Sequence, residues 1–230
     1  MSTSNSRYFP WITAGFVTCL IVSNIIAVKI GHFGQIGDYP LFLPVAVIVF
    51  PVAYIFGDVL TEVYGYARAR QVIWIGFACN LFAVLAIWLG SLIPAAPFWP
   101  NQAAYESILG FTPRLLVASF IAYLVGEFLN SFILAKLKVT TQGKHLWLRT
   151  IASTLVGQLA DSGLFIAVAF VGTFEPSNLV QLILTQWLFK SAYEALATPL
   201  TYVVVNFLKR AEAEDYYDRE TDFNPLAFNQ

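Results

Sequence analysis

Charge is what this chain has least of. Of its 230 residues, 12% are Asp, Glu, Lys or Arg, against about 25% in an ordinary soluble domain. That poverty argues against a soluble globular fold. The net charge of −1 leaves no basic footprint, so no nucleic-acid partner is expected. Cysteine is scarce too. Cys19 and Cys79 sit alone in apolar runs, without metal-ligand spacing or an expected disulfide. His32 and His145 are far apart and form no cluster. Also missing are the strings G-x-x-x-x-G-K-[ST], H-E-x-x-H and G-x-S-x-G, which removes the common routes to phosphate-loop, zinc-protease and serine-hydrolase chemistry. Ser162 stands beside Asp161 with no histidine in its run. No cofactor is expected, and binding with translocation fits better than catalysis.

What is present is grease: 58% hydrophobic, 16% aromatic and a mean hydropathy of +0.67. An integral membrane protein is the default reading. A crossing helix needs about 20 apolar residues. Six stretches qualify, at roughly 10–30, 41–65, 70–93, 113–138, 147–173 and 178–208. The expected class is therefore all-α with six transmembrane helices, embedded in the lipid bilayer. The first run is too long for a signal h-region and has no small-residue cleavage site after it, so it reads as a permanent span. The segment GHFGQIGDYP reads as a turn between the first two spans. The longer stretch after the third, rich in Pro and aromatics, suits a membrane interface. Residues 1–210 form one transmembrane domain, and 211–230 read as an acidic, solvated tail.

Basic residues set the orientation. Arg7, Arg68, Arg70, Lys136, Lys138, Lys144, Arg149, Lys209 and Arg210 fall on one side, against Lys29 and Arg114 on the other. The positive-inside rule puts both termini in the cytoplasm.

Two phrases are nearly the same: AYIFGDVL (53–60) and AYLVGEFL (122–129). Each sets an acid, Asp58 or Glu127, directly after a glycine. On the expected topology the two spans run the same way. An internal duplication and one packing solution used twice both stay open. Glu127 lies about 20 Å from the start of its span at 1.5 Å per residue, near mid-bilayer. Asp161 sits similarly in span five, and Lys190 and Glu194 in span six. A charge there costs about 2.5–3.5 kcal/mol on insertion scales, so such residues face protein or a watery cavity. Tyr123, Glu127, Asn130 and Ser131 share one helical face. So do Thr154, Gln158, Asp161, Ser162 and Phe165, and so do Trp187, Lys190 and Glu194. Lys190 and Glu194, four apart, are placed to pair on one helix. Small residues recur every four positions at Ala118–Ala122–Gly126 and Ser23–Ala27–Gly31, a signature of close helix packing.

The string DVLTEVYGYARAR (58–70) resembles the signature of the queuosine precursor transporter family, also called the vitamin uptake transporter group. SNIIAVK (23–29), IWIGFACN (73–80) and TIASTLVGQLADS (150–162) resemble further parts of it. The resemblance covers roughly 10–208. It implies a six-helix bacterial inner-membrane protein, similar in fold to the substrate-binding subunits of energy-coupling-factor transporters. It also implies import of the 7-deazaguanines preQ0 (cyano) and preQ1 (aminomethyl).

That cargo gives the acids a task. A deazaguanine presents N1–H and an exocyclic NH₂ side by side, and one carboxylate accepts both. Glu127 is the first candidate, with Asp58 or Asp161 sharing the role. The base's O6 needs a donor from Gln158, Asn130 or Lys190. Its ring would stack on Trp187, Tyr123 or Trp74. The cationic arm of preQ1 would favour a second acid, and Glu194 belongs to the same expected set. Asp58, Glu62, Arg68 and Arg70 are expected to form a network at the basic end of span two, for gating or for structure. Competing readings are a transporter of another purine-like or vitamin-like solute, a membrane enzyme using its acids for proton chemistry, and a scaffold. Ion coupling, facilitated diffusion, a separate energy-coupling module docked on the Ser23–Ala27–Gly31 stripe, and a homo-oligomer all stay open.

Overall fold

The computed structural model describes residues 6–36, 39–110, 113–172 and 175–227. With few charges to hold them in water, the long apolar runs close their backbone hydrogen bonds internally as helices. In chain order these are α1 (Phe9–Ile26), α2 (Phe50–Val59), α3 (Tyr66–Ser91), α4 (Gln102–Leu109), α5 (Pro113–Thr140), α6 (Leu146–Phe170) and α7 (Pro176–Glu212). Between α1 and α2 lies an antiparallel hairpin of β1 (Ile30–Ile36) and β2 (Tyr39–Pro44), then a 3₁₀ turn over Val45–Ile48. A π-turn, Leu60–Tyr64, extends α2.

Among the described residues, four helices are long and apolar enough to cross a membrane: Phe9–Ile26, Tyr66–Ser91, Val117–Thr140 and Leu146–Phe170. Less than half of each is buried within the protein. Phe82, Trp88, Leu196 and Val203 point outward and are more than half exposed. Helices apolar on their outer faces as well as their inner ones belong in lipid. The chain is a multi-pass membrane protein.

The second expected span, 41–65, is corrected in part. Tyr39–Pro44 is strand, and regular α-helix starts only at Phe50. Proline explains the difference. Pro40 and Pro44 disfavour helical geometry in the residues before them, while an apolar run alone does not separate strand from helix. Helix α1 ends at Ile26, so Gly31 falls in β1 and the Ser23–Ala27–Gly31 stripe is not a helical face.

Helices α5 and α6 are joined by a tight turn in which Gln142, Gly143 and His145 all have positive φ. They then pack intimately. A Cβ on Gly157 would stand 2.9 Å from the Asn130 Cβ and 3.0 Å from the Gly126 carbonyl, and one on Gly126 would meet Asp161 Cβ at 2.9 Å. Ala118 and Ala122 are buried on the same face, so this small-residue stripe serves internal packing. Helix α2 sits among α1, α5 and α7.

The tail keeps most of its residues exposed, but it is anchored to the helix ends and not a free end. Asp218 accepts the Tyr66 N–H at 3.1 Å and is 3% exposed. Arg70 donates to the carbonyls of Asp222 and Asn224, Trp74 Nε1 to that of Pro225, and Tyr66 Oη to that of Phe223. Glu214 and Asp215 thus face basic side chains, and Asp218 the Tyr66 N–H, where the helices end. Composition missed this because the partners are about 150 positions away in sequence.

Gly157→Val is expected to lower stability by about 1–3 kcal/mol, because the added methyls overpack a contact with no slack. Gly163, with nothing within 4 Å of where a Cβ would stand, serves as control: Gly163→Ala should be neutral or gain up to about 1 kcal/mol of helix propensity. Thermal unfolding of the purified variants in detergent checks this. Equal effects at the two glycines would refute the packing account.

Candidate functional site

Two groups of ionisable side chains lie inside the bundle, built on opposite plans. The first closes around Glu62, on the π-turn, where the chain must stop being helical before α3. Gly65, at φ 84°, makes that stop, and the ring of Tyr216 lies against it. The turn's end carbonyls find donors: Lys138 Nζ reaches Glu62 O at 2.5 Å and Tyr216 N reaches Val63 O at 3.1 Å. The Glu62 carboxylate is fully buried. It accepts from Arg149 Nε (2.7 Å) and Nη2 (2.6 Å), and from Lys209 Nζ (2.6 Å). Lys138 lies 3.8 Å from it and also holds Asp215 at 2.5 Å. Burial alone would raise the Asp215 carboxyl, but bonds from Lys138 and Lys209 outweigh it and hold the group below its ordinary range. Three cations and two carboxylates thus satisfy one another by direct contact.

This corrects the expected network of span two. Arg68 pairs with Glu214 at 3.0 Å and Arg70 holds the tail, so neither reaches Glu62. Asp58, one turn back, belongs elsewhere.

The second group surrounds a cavity of about 670 Å³, a volume suited to a small molecule. Every long helix and α2 contribute to its wall. Phe16, Leu20, Ile166 and Phe170 make apolar surface. The polar lining includes Tyr123, Glu127 and Asn130 from α5, Gln158 and Asp161 from α6, and Lys190 from α7. Six of the ten expected substrate-contact residues therefore meet in one space. Lys190 Nζ bonds Asp161 Oδ2 at 2.7 Å, across helices, in place of the expected pairing with Glu194 on its own helix. Tyr123 Oη is tied to the Ile73 carbonyl at 3.0 Å, which leaves its ring facing inward. Glu127, near the middle of α5, accepts no hydrogen bond and joins no ion pair among the described residues.

Four expected residues lie outside the lining. Trp187 Nε1 bonds the Leu155 carbonyl at 2.8 Å, and Trp74 is drawn to the tail. Asp58 and Glu194 are buried behind the wall, where Asn130 Nδ2 donates to Asp58 Oδ1 at 3.0 Å. The sequence reading missed Tyr54, whose hydroxyl donates to Gln158 Oε1 at 2.9 Å. It also missed the Asn24–Asn80 pair, joined at 3.0 Å, and Gln186. The two asparagines carried a signal, since an amide inside an apolar span needs a partner. Tyr54 carried one as well, as the counterpart of Tyr123 in the repeated phrase.

These features define a helical membrane protein with room for a small polar solute between its helices. The family model described as "Putative vitamin uptake transporter" matches residues 44–204, and the chain belongs to that family. It is similar to a "Probable queuosine precursor transporter" of Bacillus subtilis (strain 168), 29% identical over 205 residues, covering 89% of this chain and 86% of that one. It is 27% identical over 169 residues to the "Queuosine precursor transporter" of Escherichia coli (strain K12), covering 72% and 74%. A "Probable queuosine precursor transporter" of Haemophilus influenzae is 26% identical over 215 residues, covering 89% of each chain. No solved structure matches the chain. The family and these relatives are all described as transporters.

Removing one partner of a buried ion cluster strands the rest. Glu62→Ala is expected to cost about 3–5 kcal/mol, read as a fall in detergent melting temperature and membrane yield. Arg68→Ala, at a partly exposed pair, should cost under about 1 kcal/mol. Similar losses for both would contradict the burial argument.

Proposed function

We propose that the chain imports queuosine precursors, 7-deazaguanine bases of the preQ0 and preQ1 kind, across the bacterial inner membrane. The relatives' names supply the cargo class, and the cavity supplies chemistry that fits it. The observation that carries the reading is Glu127: an acid facing a solute-sized cavity with no donor bonded to it among the described residues. Its two oxygens suit the adjacent N1–H and NH₂ of a deazaguanine. Gln158 accepts from Tyr54 through Oε1, so its amide nitrogen is the end turned toward the base's O6. Asn130 is a weaker donor candidate, because its nitrogen already serves Asp58. Tyr123 and Phe165 offer ring faces. Asp161, held by Lys190, stands by for the cationic arm of preQ1.

On this reading six segments cross the membrane. They are α1, α3, α5, α6, α7 and the run Val45–Tyr64. The last joins a 3₁₀ turn, α2 and the π-turn over 20 residues, the length a bilayer core requires. The Glu62 cluster and both termini then lie on the cytoplasmic side, where the positive-inside rule places their lysines and arginines. The base binds about midway through the helices.

The test is uptake of labelled preQ0 and preQ1 by cells that make no precursor and express this chain. Accumulation that excess guanine leaves untouched is expected. Glu127→Gln keeps the shape but loses the charged acceptor, a cost of about 1.5–3 kcal/mol, or roughly ten- to a hundredfold in apparent affinity. Normal uptake by both Glu127→Gln and Asp161→Asn would sink the assignment of the site. No accumulation of either base by a verified membrane-inserted chain would sink the cargo.

A further inference from the structure

In and behind the cavity wall, four buried oxygens have no donor among the described residues: Asp58 Oδ2, both carboxyl oxygens of Glu194, and Asn130 Oδ1. Asp58 is 0% exposed, Glu194 1% and Asn130 7%. The two carboxyl groups, one on α2 and one on α7, are within hydrogen-bonding reach of each other. As carboxylates both are acceptors only, so that contact needs something positive between them. Among the described residues no cation supplies it. Lys190, one turn before Glu194, is bound to Asp161. Lys138, Arg149 and Lys209 are bound to Glu62. The charged groups that act on the pair from neighbouring elements are Glu62 on the π-turn and Glu127 on α5, both acids. An uncompensated buried pair of like charges is among the costliest arrangements a protein can hold.

We propose that Asp58, Glu194 and the Asn130 side-chain carbonyl form a binding site for one monovalent cation, a proton shared between the carboxyls or a sodium ion, which couples to the solute cavity. The coupling route is short. Asn130 lines the cavity and bonds Asp58. Glu127 Oε2 lies 3.3 Å from where a Cβ on Gly57, the residue before Asp58, would stand. A cation at the pair therefore changes the field on the carboxylate that faces the solute. It also ties α2 to α7, two helices of the cavity wall.

The site is tested first without solute, so that its failure is separate from failure of the proposed cargo. Melting of the purified chain is followed against sodium at fixed pH, and against pH without sodium. A ligand that binds only the folded state raises its melting temperature. The native chain should respond to one of the two cations, and Glu194→Gln should lose that response; Asp58→Asn serves as second variant. A response to sodium identifies sodium, and one to acid alone identifies the proton. Responses unchanged in both variants, or no response in the native chain, would overturn the site. Coupling is then read in proteoliposomes, and this part rests on the proposed cargo. Counterflow of labelled preQ1 needs no ion gradient and checks cargo alone. An inward gradient of the identified cation should drive accumulation by the native chain. Glu194→Gln should keep counterflow and lose the gradient's effect. Gradient-driven accumulation that survives in Glu194→Gln would overturn the coupling.

Discussion

The fold hangs on a single carboxylate, Glu62. It sits where α2 ends, on a π-turn that widens the helix just before Gly65 breaks it. Three cations converge there from α5, α6 and α7. A buried acid is tolerable only when its lone pairs are filled, and here Arg149 fills two with one planar fork. Because each cation comes from a different helix, the requirement to neutralise Glu62 fixes how four segments meet. Lys138 extends the effect to the tail through Asp215, so the C-terminal residues become part of the same closure. The π-turn follows from this. Irregular helix is expensive unless its stray carbonyls are met, and Lys138 and the Tyr216 N–H meet them.

The repeated phrase shows how one local sequence yields two environments. Tyr54 and Tyr123 both face the cavity. Gly57 and Gly126 both admit a neighbour: Glu127 approaches the first, and α6 packs on the second. The acids then diverge. Glu127 opens onto the cavity, while Asp58 is sealed behind Asn130 and faces Glu194. Glycine before an acid gives close approach in both places. What approaches is decided by the rest of the bundle.

That division marks what was legible in the sequence. The four spans of 18–26 residues were, because an apolar run with proline at most in its first turn has few alternatives to helix in lipid. The residues of the cavity wall on α5 and α6 were, because three- and four-residue spacing puts polar groups on one face. Pairings were not. Lys190 has Glu194 a single turn away yet bonds Asp161, since α6 packs tightly enough to bring a second acid closer. Arg68 and Arg70 lie near Glu62 in sequence, but Gly65 reverses the chain between them and turns both toward the tail. The strand at Tyr39–Pro44 was hidden because its hydrophobicity continues unbroken into α2.

The distribution of positive charge then separates a fixed end from a working middle. Among the described residues, three buried or half-buried cations are committed to Glu62 and Asp215. The one cation among the described residues that line the cavity is Lys190, which is bonded to Asp161. None of Asp58, Glu127 and Glu194 is bonded to a cation among the described residues. If all the acids were structural glue, the cheapest sequence would pair or remove these three, since apolar replacements of buried charges are often neutral or stabilising. Their retention in pairing-poor positions beside a cavity is intelligible when the missing positive partner arrives from outside, as a donor-rich solute at Glu127 and as a cation at Asp58 and Glu194. The same carboxyl groups would then be charged, neutral or complexed according to what has bound. A wall built on such groups changes its cohesion with each step of loading, whereas the Glu62 end, with its partners built in, does not.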